Sequence, residues 1–216
     1  MRFRPIILIL LFVLVASNSC KNRKPDPECF PGNSQQVGTF PITKSKFLPV
    51  IFFENPDRLG QLDKSYSSRM NGLHEPSLLS DAENSEEVYR FVWMRSFHNL
   101  ICLRIQKSSG SIAMIIKEAN GTGGDETGTL KVDRTKQLSA DEWNRFESLL
   151  ATECFWRLDT SKDEGGIDGA TWLLEGKKSN RYHLAWQWSP QNKGFRAACL
   201  YLLELSDLNI RQDEIY

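Results

Sequence analysis

The chain has 216 residues, with 27 basic and 27 acidic side chains and a formal net charge of zero. That length fits one domain of ~100–200 residues behind a leader, and no cluster of lysines or arginines tracks one face as nucleic-acid binding requires. Six tryptophans and twelve phenylalanines call for a packed interior rather than a disordered chain.

Residues 1–19 read as a signal peptide. Arg2 and Arg4 precede an apolar run from Ile6 to Ala16, about half of the ~20 residues a membrane-spanning helix needs. Ser17, Asn18 and Ser19 then lead into Cys20. This layout resembles a bacterial lipoprotein signal peptide, whose peptidase cuts directly before a cysteine carrying a diacylglyceryl group. The resemblance implies lipidation of Cys20 and a membrane partner through that anchor. Ser17 stands where that family prefers an aliphatic residue, and Ser17 and Ser19 also suit ordinary signal peptidase. Simple secretion and an uncleaved anchor therefore stay open. Each places the domain outside the cytoplasm. Lys21, rather than an aspartate, follows the cysteine and favours an outer over an inner membrane.

Loss of Arg2 and Arg4 leaves 25 basic against 27 acidic residues, a mature charge of about −2. Apart from Cys20 the cysteines are Cys29, Cys102, Cys154 and Cys199, an even set with three pairings in an oxidising compartment. Cys102 falls in a strand pattern and reads as a buried apolar residue. A Cys154–Cys199 bridge is the pairing considered.

Residues 20–40 hold prolines, glycines and polar residues and read as a flexible, lipid-attached tether. A single domain follows over 41–216. Its first part, 41–86, is poorly patterned: apolar density rises from Phe40 to Phe53, and only short helical turns are expected over 55–86. From residue 87 the pattern is clear. Glu87 to Phe97 is apolar on both parities, as in a central strand. Strands follow at Leu100 to Lys107 and Ile112 to Lys117, joined through Ser108-Ser109-Gly110. A glycine-rich loop over residues 121–128 leads to a strand at Gly128 to Asp133. It connects strands rather than opening a helix, so it lacks the dipole of a phosphate cradle.

Ser139 and Glu142 form a capping box for a helix whose apolar face carries Trp143, Phe146, Leu149 and Leu150. Strands at Thr171 to Gly176 and Arg181 to Trp188 come next. Ser189-Pro190 is expected to open a last helix with Phe195, Ala198, Cys199, Leu202 and Leu203 as its stripe. The fold class is α+β: an antiparallel sheet of about five to six strands with two main helices packed on one face.

From Glu87 onward, EEVYRFVWMRSFH, the glycine-rich loop, LSADEW, GGIDGATWLLEG, RYHLAWQWSP and the CLYLLELS ending resemble a group of uncharacterised exported bacterial proteins. The resemblance covers roughly 120 residues and implies no activity and no site.

Candidate site residues are few. His183 shares a strand face with Ala185 and Gln187 and is expected on the wetter side; His98 lies at a strand end near a turn. Trp93, Trp172, Trp186 and Trp188 could line a glycan or peptide face, although strand periodicity favours core packing, with Trp188 the best placed for exposure. Asp159, Asp163, Glu164 and Asp168 cluster in one loop whose spacing does not match a calcium loop, so a solvated turn is expected. Cys154, His183 and Asp168 supply the residue types of a thiol triad, which needs hydrogen-bonded geometry to act. No metal or other cofactor is expected. The functional expectation is a non-enzymatic envelope module binding another envelope protein or a glycan, against a hydrolase or hydrolase inhibitor.

Overall fold

A computed structural model describes residues 29, 47, 56–79, 87–121, 127–159, 166, 168–179, 181–191 and 193–216. The signal peptide, Cys20 and most of the 20–40 stretch lie outside the described residues, as do Asp163 and Glu164 of the acidic loop.

Six strands form one antiparallel sheet: β1 (Glu87–Arg95), β2 (Leu100–Ser108), β3 (Ser111–Ala119), β4 (Leu130–Gln137), β5 (Ala170–Lys178) and β6 (Arg181–Trp188), in the order β4-β3-β2-β1-β5-β6. The α+β reading therefore holds. Ser109 and Gly110 both take positive φ, 48° and 81°, the twisted two-residue turn that suits a hairpin between β2 and β3. β1 sits in the middle, and its residues alternate between two apolar clusters. Tyr89, Phe91 and Trp93 face one side, while Val88 and Val92 face the other.

The first cluster is covered by α2 (Ala140–Thr152) through Trp143, Phe146 and Leu150, and by α3 (Lys193–Leu205) through Phe195, Ala198, Cys199 and Leu202. Tyr89 is its aromatic hub, with ring centroids of Phe146 at 5.3 Å, Trp143 at 6.0 Å and Phe155 at 6.1 Å. Gly176 makes that approach feasible, because a Cβ there would lie 2.8 Å from Phe155 and 2.9 Å from Tyr89. α2 carries its capping box: Glu142 N–H donates to Ser139 Oγ at 3.2 Å, and Ser139 N–H donates to the Glu142 carboxylate at 2.7 Å. That backbone donor holds the Glu142 carboxyl below its ordinary range. Ser139→Ala is expected to lower stability by about 1 kcal/mol, read as a shift in urea midpoint. An unchanged midpoint would show that the box contributes nothing.

The second cluster corrects the reading of 55–86 as irregular. Pro56–Gly72 is a 17-residue helix, α1. Its polar composition hid it; among its described side chains a narrow stripe (Tyr66, Met70 and then Leu73) reaches the apolar core, at steps of four and three. Leu78, Leu79 and Phe47 extend that layer over Val88, Val92, Cys102, Leu173 and Leu184. Among the described residues there are thus three α-helices, where two main ones were expected.

Three finer expectations are also corrected. Cys154 pairs with Cys29, not with Cys199, which is a buried thiol; Cys102 is a buried thiol in β2, as its strand pattern suggested. Ser189 does not cap α3, which starts at Lys193; its φ is 38° and its Oγ accepts from Ala170 N–H at 3.0 Å, closing the end of the β5–β6 pair. β4 runs four residues further than the apolar pattern suggested, through Arg134, Thr135, Lys136 and Gln137, because this edge strand is largely solvent-exposed and keeps a polar sequence.

Candidate functional site

Two polar assemblies stand out, one sealed and one open. The sealed one lies on the α1 side of the sheet. Arg104, Arg90 and Glu175 occupy adjacent register positions on β2, β1 and β5, so strand pairing lines them up across the sheet. Arg90 donates from Nε to Glu175 at 2.7 Å, pairs through Nη2 with the same carboxylate at 2.6 Å, and donates from Nη1 to the Pro76 carbonyl at 2.6 Å. Tyr66 and Tyr182 also donate to Glu175, Tyr182 at 2.6 Å. Glu75 receives Arg104 at 2.8 Å and Lys117 at 3.0 Å, while Lys117 reaches the Leu73 and His74 carbonyls.

Arg90 and Glu175 are fully buried. Burial pushes the Glu75 carboxyl up, but Arg104, Arg90 and Lys117 outweigh it and hold it below the carboxylate range. Burial and the neighbouring Glu175 raise both tyrosine hydroxyls well above their ordinary values. Such groups hold their charges and protons fast. The assembly therefore clamps the loop after α1 onto the sheet and offers no proton for acid–base work at neutral pH. Its residues were not singled out in the sequence. A signal was present, a charged residue inside each of the apolar strand runs VYRFVW, ICLRIQ and TWLLEG.

The open assembly lies at the end of the sheet where β1 turns into β2. His98 and Trp188 both belong to this end; His183 does not. Phe97, at the tip of the turn, is 63% exposed and is the exposed large hydrophobic among the described residues. The turn beneath it is braced on several sides. Arg95 donates from Nε and Nη2 to the Asn99 carbonyl at 3.2 and 2.9 Å, pairs with Glu214 at 3.2 Å, and stacks over Trp93 at 4.2 Å. Asn99 donates to Glu118 at 2.7 Å. The Tyr216 hydroxyl accepts from Phe97 N–H at 3.3 Å and lies 3.0 Å from His98 Nδ1. Ser96 binds the Gly169 carbonyl through both N–H and Oγ at 2.9 Å. Trp188 lies against Gly169, where a Cβ would come within 2.6 Å of its ring. The loop holding Gly169 thus joins the Phe97 turn to Trp188, which is half-buried rather than open.

His183 is corrected from the wetter face to the interior. It is 8% exposed, with Phe155 at 5.1 Å and Trp156 at 6.4 Å, because the short 3-10 turn Phe155–Arg157 after α2 covers that part of β6. Burial pulls its pKa down to about 4, against a hydrogen bond to the Leu158 backbone that acts the other way. The thiol triad is also excluded, since the Cys154 sulfur is bonded to Cys29 and offers no nucleophile. Trp93 and Trp172 are core residues, Trp172 donating to the Tyr216 carbonyl at 2.9 Å. Asp159 and Asp168 are exposed, and among the described residues no group of three His, Cys, Asp or Glu side chains is placed to hold a metal ion. No helix among the described residues is long and apolar enough to cross a membrane.

Compared with known proteins, the chain matches no family model, and no curated protein matches it.

Proposed function

We propose that the protein is a lipoprotein of the bacterial cell envelope, tied to a membrane through Cys20, whose α+β domain is a binding module for another envelope protein or a glycan. The observation that carries the binding role is Phe97: a large apolar side chain, 63% exposed, on a turn fixed by Arg95, Asn99 and Tyr216. A rigidly held aromatic gives contact area at small entropic cost, which is how interface hot spots work. His98 follows it in the turn and supplies a polar ring edge, and Trp188, linked to the turn through Gly169, supplies a second aromatic at this end of the sheet. Two features support the address: the leader pattern before Cys20 and the Cys29–Cys154 disulfide, which persists in oxidising compartments. The outer membrane is favoured by Lys21.

Two measurements test the two halves. The mature chain is expected to begin at Cys20 with a fatty-acyl mass increment, and Cys20→Ala is expected to leave the membrane fraction; an unacylated Cys20 ends the anchoring half. A photo-crosslinking amino acid at position 97 is expected to give a discrete adduct in intact envelopes, with none from position 131 on the exposed edge strand. Phe97→Ala should leave the urea midpoint within about 0.5 kcal/mol of the parent while removing capture of the crosslinked partner. Equal adducts from both positions would sink the binding half.

A further inference from the structure

We infer that the Cys29–Cys154 disulfide decides which side of the domain faces the anchoring membrane, and that it turns the Phe97 end outward. The inference rests on the anchoring at Cys20 proposed above. Cys29 lies only nine positions along the chain from Cys20, and it is bonded to Cys154 in the turn that follows α2. Fully extended, that stretch spans at most about 30 Å. A folded unit of this size is roughly 40 Å across. The link is therefore shorter than the body it holds, and the body cannot turn freely on it.

The attachment corner is well defined. Cys154 precedes Phe155, which packs on Tyr89, Gly176 and His183 near one end of the strands, on the side covered by α2 and α3. From Tyr89, six residues of β1 lead to Arg95 at the other end, about 20 Å away. The Phe97 turn lies beyond that. The corner holding Cys154 and Arg157 thus sits nearest the bilayer, and Phe97, His98 and Trp188 sit farthest from it.

Phe47, farther along the chain, packs edge-on against Tyr66 at 6.3 Å and lies under the Arg90 guanidinium, on the α1 side of the sheet. The disulfide ties the chain to the opposite side, close in sequence to Cys20, and its loss removes the short covalent link between Cys20 and the Cys154 corner.

The test uses the full acylated chain in phosphatidylethanolamine–phosphatidylglycerol vesicles that carry an acceptor dye on a trace lipid. A ketone-bearing amino acid coupled to a donor dye is placed at position 157 or at position 97, which leaves the cysteines untouched. Energy transfer to the membrane surface is expected to be at least twofold greater from 157 than from 97. Cys29→Ser with Cys154→Ser is expected to abolish that difference. If that pair fails to fold, twenty Gly-Ser residues inserted between residues 22 and 23 keep the bond, lengthen the link and should lower transfer from 157. Equal transfer from 97 and 157 in the bonded, acylated protein would overturn this inference alone, as would a value from 157 that the insertion leaves unchanged. A Cys20 without acyl mass would overturn it together with the anchoring.

Discussion

Arg90→Ala is expected to cost about 3–5 kcal/mol of folding free energy, the range for removing one partner from a buried ion pair. The loss is large because the guanidinium does several jobs at once. It neutralises Glu175 through two contacts, at 2.7 and 2.6 Å, ties down the Pro76 carbonyl, and lies 3.5 Å from Glu75. Its removal strands the buried Glu175 carboxylate with, among the described residues, the Tyr66 and Tyr182 hydroxyls for support. The segment after α1 loses its hold on the sheet at the same time. Chemical denaturation reads the cost, and limited proteolysis near Leu73 to Leu79 reads the loosened segment. Arg90→Met with Glu175→Gln removes both charges and should lose less than the sum of the single changes, since no unpaired ion remains. A stability within about 1 kcal/mol of the parent for Arg90→Ala would show that the clamp does not hold the segment.

Stability is expected to fall by about 3 kcal/mol between pH 6.5 and pH 4 on account of His183 alone. Its imidazole is kept neutral in the fold with a pKa of about 4, while the unfolded chain titrates near the ordinary value of 6.5. Between those values the unfolded state binds the extra proton, so stability is full above 6.5 and is lost as the pH falls towards 4. A shift of this size corresponds to about 1.4 kcal/mol per pH unit. Glu75, held below its usual range, adds a loss of the same sign at lower pH. Glu87, raised by burial, contributes with the opposite sign. The difference between the parent and His183→Gln therefore isolates the histidine, because both carboxylates remain in each. Parallel pH curves for the two proteins would refute the buried neutral histidine.

The contrast between His98 and His183 shows where sequence reading succeeds and stops. Strand alternation assigned His183 to the same face as Ala185 and Gln187, which is correct as a statement of parity. Whether that face is wet depends on what covers it, and the cover is Phe155 and Trp156 from a turn nearly thirty residues earlier. His98 was legible as a turn residue. Its hydrogen bond to Tyr216, 118 positions away, was not. The ionic clamp follows the same logic: each charged residue was visible inside an apolar run, but the lateral row appears only once β1 lies between β2 and β5.

By itself the sequence determined the local order of the patterned region. Alternation of apolar residues set the strands, Ser109-Gly110 set a hairpin turn, and the Ser139–Glu142 box set the start of α2, because each rests on groups within a few residues of one another. Tertiary structure alone decided the rest: the burial of His183, the pairing of Cys154 with Cys29, the docking of the polar helix α1, and the outward turn of Phe97. Those depend on contacts between distant segments, whose geometry no local pattern encodes, and on burial, which belongs to a residue's neighbours in space rather than in the chain.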